Sequence, residues 1–153
     1  MRDTPWLTGA EEAAWRGFLR THAAVTAELG RRLAVESSLS YPDYEVLVTL
    51  TDQVDGRLRL FEIAELLGWE KSRVSHQIAR MVERGLVEKV RCDTDRRGSF
   101  VTPTTEGRQA ITSAAPGHVA AVRQLFIDRL TSAQLEAVAG IATNVLAPTD
   151  QAS

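Results

Sequence analysis

Between Lys71 and Arg80 the chain carries a run of hydrogen-bond donors and small hydroxyls: Lys71, Ser72, Arg73, Ser75, His76, Gln77 and Arg80. Few acids interrupt them. Ammonium, guanidinium, amide and hydroxyl groups on one face can meet phosphate oxygens and the acceptor-bearing edges of base pairs, with no bond made or broken. A second cationic cluster follows at Arg96 and Arg97. The competing interpretation is a solvated helix face and a polar loop, so the elements that carry these residues decide the matter.

Those elements are legible. Val74, Ile78 and Met81 recur at three- and four-residue steps beneath the donor face, and Phe61, Ala64 and Leu67 do the same one helix earlier. Each helix therefore turns one apolar stripe toward a shared core. Gly68 closes the first helix and Gly85 stops the second just after Arg84, where a residue free to adopt positive φ is cheapest. Two helices joined by a short turn, the second polar and cationic, form a helix-turn-helix whose second helix fits the major groove of duplex DNA. Residues 86–91 then alternate apolar and charged side chains, as a half-buried strand should, and residues 98–102 can return as its partner. The polar stretch 92–97 between them is read as a loop too long for a two-residue turn. A hairpin directly after a recognition helix is a wing, and its tip has the charge and reach to enter a minor groove.

The run ERGLVEKVRCDTDRRGSFVTPTTEG resembles the signature of the MarR family of winged helix-turn-helix regulators. In that family a D-x-R lies in the wing and a Leu-Thr-x-x-Gly leads into the next helix. Asp95 and Arg97 match the first, and Thr104, Thr105 and Gly107 stand at the helix start. A Pro103-Thr104 pair replaces the family's Leu. The resemblance follows the element order of almost the whole chain, and the wing is its most specific part. It implies that Arg97 enters the minor groove with Asp95 orienting it, while Arg96 meets phosphate. The plain alternative is a hairpin salt bridge of little worth. It implies a homodimer whose terminal helices interdigitate, placing two recognition helices about one DNA turn apart on a palindromic operator. It also implies a seat for a small aromatic or phenolic effector between the dimer helices and the winged unit. Trp15, Arg16, Leu19, His22, Tyr44 and Leu47 are the candidates, against the ordinary explanation that they are hydrophobic core.

The rest of the chain fits that frame. Thr8 and Glu11 make a capping box for a long first helix, with Trp15, Phe18, Leu19, His22, Val25, Leu29 and Leu33 on one face. Ser40 caps a second helix with Pro42 and Asp43 in its first turn and Tyr44, Leu47, Val48 and Thr51 inward. Arg57-Leu58-Arg59 is a short strand for the wing sheet. Residues 105–115 are helical, Pro116-Gly117 predicts a kink or break, and the helix resumes over 118–130. Thr131 and Gln134 make another capping box, starting a last helix with Leu135, Val138, Ile141, Ala142 and Val145 inward. Residues 147–153 are a frayed tail. The expected fold is mainly α with a small β wing: residues 37–103 form the DNA-binding unit, and 1–36 with 104–150 the helical dimerisation region.

Composition bounds the rest. The chain has 153 residues, 44% hydrophobic and 25% charged, which describes an ordinary globular protein. Its net charge of −2 would not suggest nucleic acid, yet residues 56–97 hold ten Lys/Arg against seven Asp/Glu. A basic module in an acidic frame is the footprint to look for. One cysteine, Cys92, excludes an internal disulfide and a multi-cysteine zinc site, and it is read as a passive strand-end residue. His22, His76 and His118 lack metal spacing, so no cofactor is expected. The start MRDTPW lacks a signal-peptide core and no long apolar run follows, giving a cytoplasmic expectation with no membrane partner. No carboxylate pair, Ser/His/Asp set or phosphate-binding glycine loop points to an enzyme. The leading reading is a DNA-binding transcriptional regulator of repressor type. The alternative is a winged-helix module that docks on an acidic protein partner and shows no dependence on DNA sequence.

Overall fold

Side-chain caps set the helix starts. Thr8 accepts from the Glu11 amide, Ser40 from that of Asp43, Thr104 from that of Gly107 and Thr131 from that of Gln134. Each satisfies one of the amides a helix start leaves without a partner. The computed structural model describes residues 5–92 and 95–147, with the backbone alone at 92 and 95–97. The order is α1 (Gly9–Glu36), α2 (Tyr41–Thr51), β1 (Leu58–Arg59), α3 (Leu60–Leu67), α4 (Lys71–Glu83), β2 (Val87–Cys92), β3 (Asp95–Pro103), α5 (Thr105–Leu125) and α6 (Ser132–Leu146). A 3-10 turn, Ile127–Arg129, separates the last two. The fold is mainly α with a small β wing, as the sequence predicted.

The three strands form one antiparallel sheet in the order β1-β3-β2. Leu58 pairs with Val101, and Val90 with Phe100. After a register shift between Arg91 and Cys92 the ladder continues to Cys92 opposite Asp95. Residues 92 and 95–97 therefore belong to the strands and not to the six-residue loop expected, and residues 93 and 94 lie outside the described residues. A backbone ladder needs no apolar side chain, so the polar composition of 92–97 hid the pairing.

One core holds the winged unit together. Val46, Leu47 and Leu50 of α2, Ile63 of α3, Val74, Ile78 and Met81 of α4, and Val101 of β3 are all completely buried. The three α4 residues contribute roughly 1.5–3 kcal/mol each by leaving water, which fixes the face that α4 turns outward. Leu33 of α1 and Ile111 and Ala114 of α5 join the same cluster, so packing continues across residues 37 and 103. At the joint into α5, Gly107 lies against the Leu86 carbonyl, and Thr104 donates to the Gly85 carbonyl at 2.6 Å. The Pro103-Thr104 pair that departs from the family pattern thus still starts the helix at Thr105.

Some expectations are corrected. Phe61 is 55% exposed, and Ile63 takes the inward place; two residues on a helix differ by about 200°, so both cannot face the core. Pro116 does not break α5. A proline inside a helix costs about 3 kcal/mol, and the packing of α5 against α1 and α2 offsets it. Gly117 helps by letting Glu36 of α1 approach closely. The helix ends instead at Phe126, where φ is −133° and ψ −62°, short of the predicted Leu130. Val138, Ile141, Ala142 and Val145 of α6 are exposed in the single chain, as are Trp15, Phe18, Leu19 and His22 of α1. Residues 148–153 of the expected tail lie outside the described residues.

Candidate nucleic-acid interface

The apolar stripe of α4 decides which of its donors reach solvent. Lys71, Ser72, Arg73, Ser75, His76 and Arg80 are exposed on the outer face, as expected. Arg73 stacks its guanidinium on Trp69, 3.9 Å from the ring centroid. That contact holds a long cationic side chain at the start of the helix. The charge of Arg73 also reaches Glu45 of α2, whose carboxyl burial pushes up from the ordinary range while Arg73 and His22 pull it back down.

Gln77 is the correction on this helix. The sequence placed it among the groove-facing donors, yet it is only 3% exposed. Its Nε2 donates to Asp43 Oδ1 at 2.7 Å, and its Oε1 accepts from Arg80 at 2.7 Å. Asp43, itself 1% exposed, also accepts from Arg84 at 2.5 Å and from the Ser40 amide at 2.8 Å. Arg84 continues to the Ser38 carbonyl at 2.5 Å. A buried carboxylate on α2 therefore binds the middle and the end of α4. Sequence reasoning placed Asp43 in the first turn of α2 and missed this role. The signal available was faint: a first-turn acid, in a helix that also carries Glu45, whose further partners lie 34 and 41 positions away.

Beside α4, the wing adds cations that the sequence reading left out of the site. Leu58 is buried, while Arg59 of β1 and Arg57 just before it lie on the outer side. Both guanidiniums lie over the Phe100 ring, at 4.8 and 4.9 Å. Arg59 also packs over Gly98, where a side chain would collide with it. A cleft of about 350 Å³ opens there, lined by Arg59, Leu60, Phe61, Lys71, Ser75 and Ser99. The alternation Arg-Leu-Arg was the signal that could have found this pair. The side chains of Asp95, Arg96 and Arg97, and the thiol of Cys92, lie outside the described residues, so their assigned roles stand on the sequence alone.

Among the described residues the six effector candidates are divided between the core and the solvent-facing side of α1. Leu47 is completely buried in the core and cannot line a pocket. Tyr44 is buried too, its ring 4.1 Å from that of His118. Trp15, Arg16, Leu19 and His22 face solvent on α1, Arg16 pairing with Glu12 at 2.5 Å. Among the described residues no group of His, Cys, Asp or Glu could hold a metal ion, and no helix is long and apolar enough to cross a membrane.

A buried helix stripe, a cationic outer face and a three-stranded hairpin sheet beside it define a winged helix-turn-helix protein. A family model described as MarR family matches residues 37–98. The structure is similar to AbsC, a MarR family transcriptional regulator from Streptomyces coelicolor, at 37% identity and a TM-score of 0.85, over 93% of this chain and 95% of that one. It is similar to Sco3205, a regulator of the same family and organism solved in complex with DNA, at 34% identity and a TM-score of 0.88, over 95% and 91%. The fold also matches Bordetella bronchiseptica BpsR, whose DNA binding is regulated by 6-hydroxynicotinic acid, at 22% identity and a TM-score of 0.78, over 93% and 97%. No curated protein matches. The chain belongs to the MarR family of transcriptional regulators.

Proposed function

We propose that this protein is a homodimeric, sequence-specific DNA-binding repressor that holds a palindromic operator and leaves it when a small aromatic or phenolic molecule binds. The observation that carries the reading is the face of α4: Val74, Ile78 and Met81 lock one side into the core while Lys71, Ser72, Arg73, Ser75, His76 and Arg80 are exposed on the other, where a groove could meet them. The 34% identical relative solved with DNA supports it. On this reading Lys71 and Arg59 flank a phosphate path, and Arg97, oriented by Asp95, enters the minor groove from the wing. Residues 37–103 act as the DNA-binding unit, and 1–36 with 104–150 as the dimerisation region.

The second copy would cover what one chain leaves bare. Trp15 is 54% exposed on α1, and Ile141 56% and Val145 74% on α6, more apolar surface than a lone helix end leaves in water. The α1 residues Trp15, Arg16, Leu19 and His22 would become walls of an effector seat only once that copy is in place. Regulation of a fold relative's DNA binding by a hydroxylated aromatic acid supports this chemistry. Selection of bound duplexes from a random pool tests the whole reading. The expected product is a two-fold symmetric sequence with half-sites about one helical turn apart, bound with an affinity that falls steeply as salt rises. Recovery of no preferred sequence would end it.

A further inference from the structure

We infer that Asp43, which does not face the groove, acts through Gln77 to hold Arg80 in its DNA-reading orientation, making the pair Asp43–Gln77 a positioning device for sequence discrimination. The inference rests on the DNA-binding reading above and adds to it residues that no groove contact would reveal.

The chemistry of the chain of contacts allows one arrangement. Asp43 is buried, and its Oδ2 is occupied by Arg84 and the Ser40 amide. Its Oδ1 is an acceptor and needs a donor, which Gln77 Nε2 supplies at 2.7 Å. That choice fixes the amide: Oε1 must then point the other way, toward Arg80, whose guanidinium can only donate and does so at 2.7 Å. A glutamine is suited to the position because it can donate to a carboxylate at one end and accept from a guanidinium at the other. Glutamate would set two carboxylates against each other, and an aliphatic side chain would leave Asp43 Oδ1 bare and Arg80 unguided.

The consequence is rotameric. An exposed arginine has large side-chain entropy, and ordering it on contact with DNA costs affinity. Arg80 begins with its guanidinium already tethered to a buried amide, which is itself tethered to α2. The same carboxylate holds Arg84 and, through it, the Ser38 carbonyl at the joint between α1 and α2. The orientation of Arg80 is thus referred to the body of the protein and not to α4 alone.

A double-mutant cycle on the duplex selected by the wild-type protein tests this, with the full-length variants Gln77→Leu, Arg80→Ala and the pair. Gln77→Leu is expected to weaken binding about tenfold, as loss of a hydrogen bond to a charged group would, and to relax preference at one base position per half-site. In the Arg80→Ala background the same change is expected to have almost no further effect. Equal losses in both backgrounds, or no loss from either single change, would overturn the relay and leave DNA binding intact. Failure of the wild type to select any duplex would instead remove the underlying reading. If Gln77→Leu does not fold, guanidinium NMR relaxation in the free wild-type protein decides. Arg80 should be markedly more ordered than Arg91, and equal mobility would overturn the proposal.

Discussion

His118 shows how much a single side chain can depend on what packs over it. It comes from α5 and lies against the Tyr44 ring of α2, and among the described residues its buried Nδ1 has no hydrogen-bond partner. Burial holds its pKa below the ordinary 6.5, because charging the ring there costs solvation. The folded state therefore binds fewer protons than the unfolded state as pH falls through the ordinary value. Its contribution to stability is present above about pH 6.5 and is lost as pH falls toward the folded pKa. Thermal unfolding between about pH 8 and pH 5 should show a melting temperature that drops on the acid side. His118→Phe should flatten that drop, and an identical pH profile in the two proteins would show that the ring is not buried neutral. Nothing in the sequence around Pro116-Gly117-His118 announced this contact, since Tyr41 and Tyr44 are far away in the chain.

At the scale of elements, the joint between the wing and α5 is the tightest fit. Thr104 donates to the Gly85 carbonyl, its own amide donates to the Leu86 carbonyl, and Gly107 presses on that same carbonyl with no room for a methyl group. Gly107→Ala should destabilise the protein by about 1–3 kcal/mol, the range for forcing an extra group into a packed site, read as a lower midpoint in urea. An unchanged midpoint would mean that α5 can shift away from the wing without cost. The capping boxes at Thr8 and Thr131 and the cap at Ser40 were legible because each is a local pattern within four residues. The persistence of α5 through Pro116 was not. A proline's penalty is local, but the packing that outweighs it comes from α1 and α2.

For the whole molecule, the two helices at the chain ends carry the largest unmet demand for burial. Ile141 and Val145 of α6, with Trp15 and Phe18 of α1, expose apolar surface that a partner subunit would remove from water. If the proposed dimer forms through these helices, Ile141→Asp should raise its dissociation constant by about 30-fold or more, the scale of an interface residue worth ~2 kcal/mol, measured by sedimentation equilibrium. On the proposed dimer it should weaken operator binding in parallel, since two half-sites would need two linked reading heads. A variant that stays dimeric would move the interface elsewhere.

The chain by itself determined the capped helix starts, the presence of a hairpin after α4 and the family, because these follow from periodicity and from patterns only a few residues long. It also identified the outer face of α4, since the spacing of Val74, Ile78 and Met81 leaves the remaining side to solvent. The tertiary structure alone decided that Gln77 turns inward to Asp43, 34 positions away, that Leu47 is core and not pocket, and that Arg57 and Arg59 flank Phe100 beside the recognition helix. The reason is physical: an amphipathic pattern states that a face must be covered, whereas what covers it depends on residues distant in sequence and brought near only by folding.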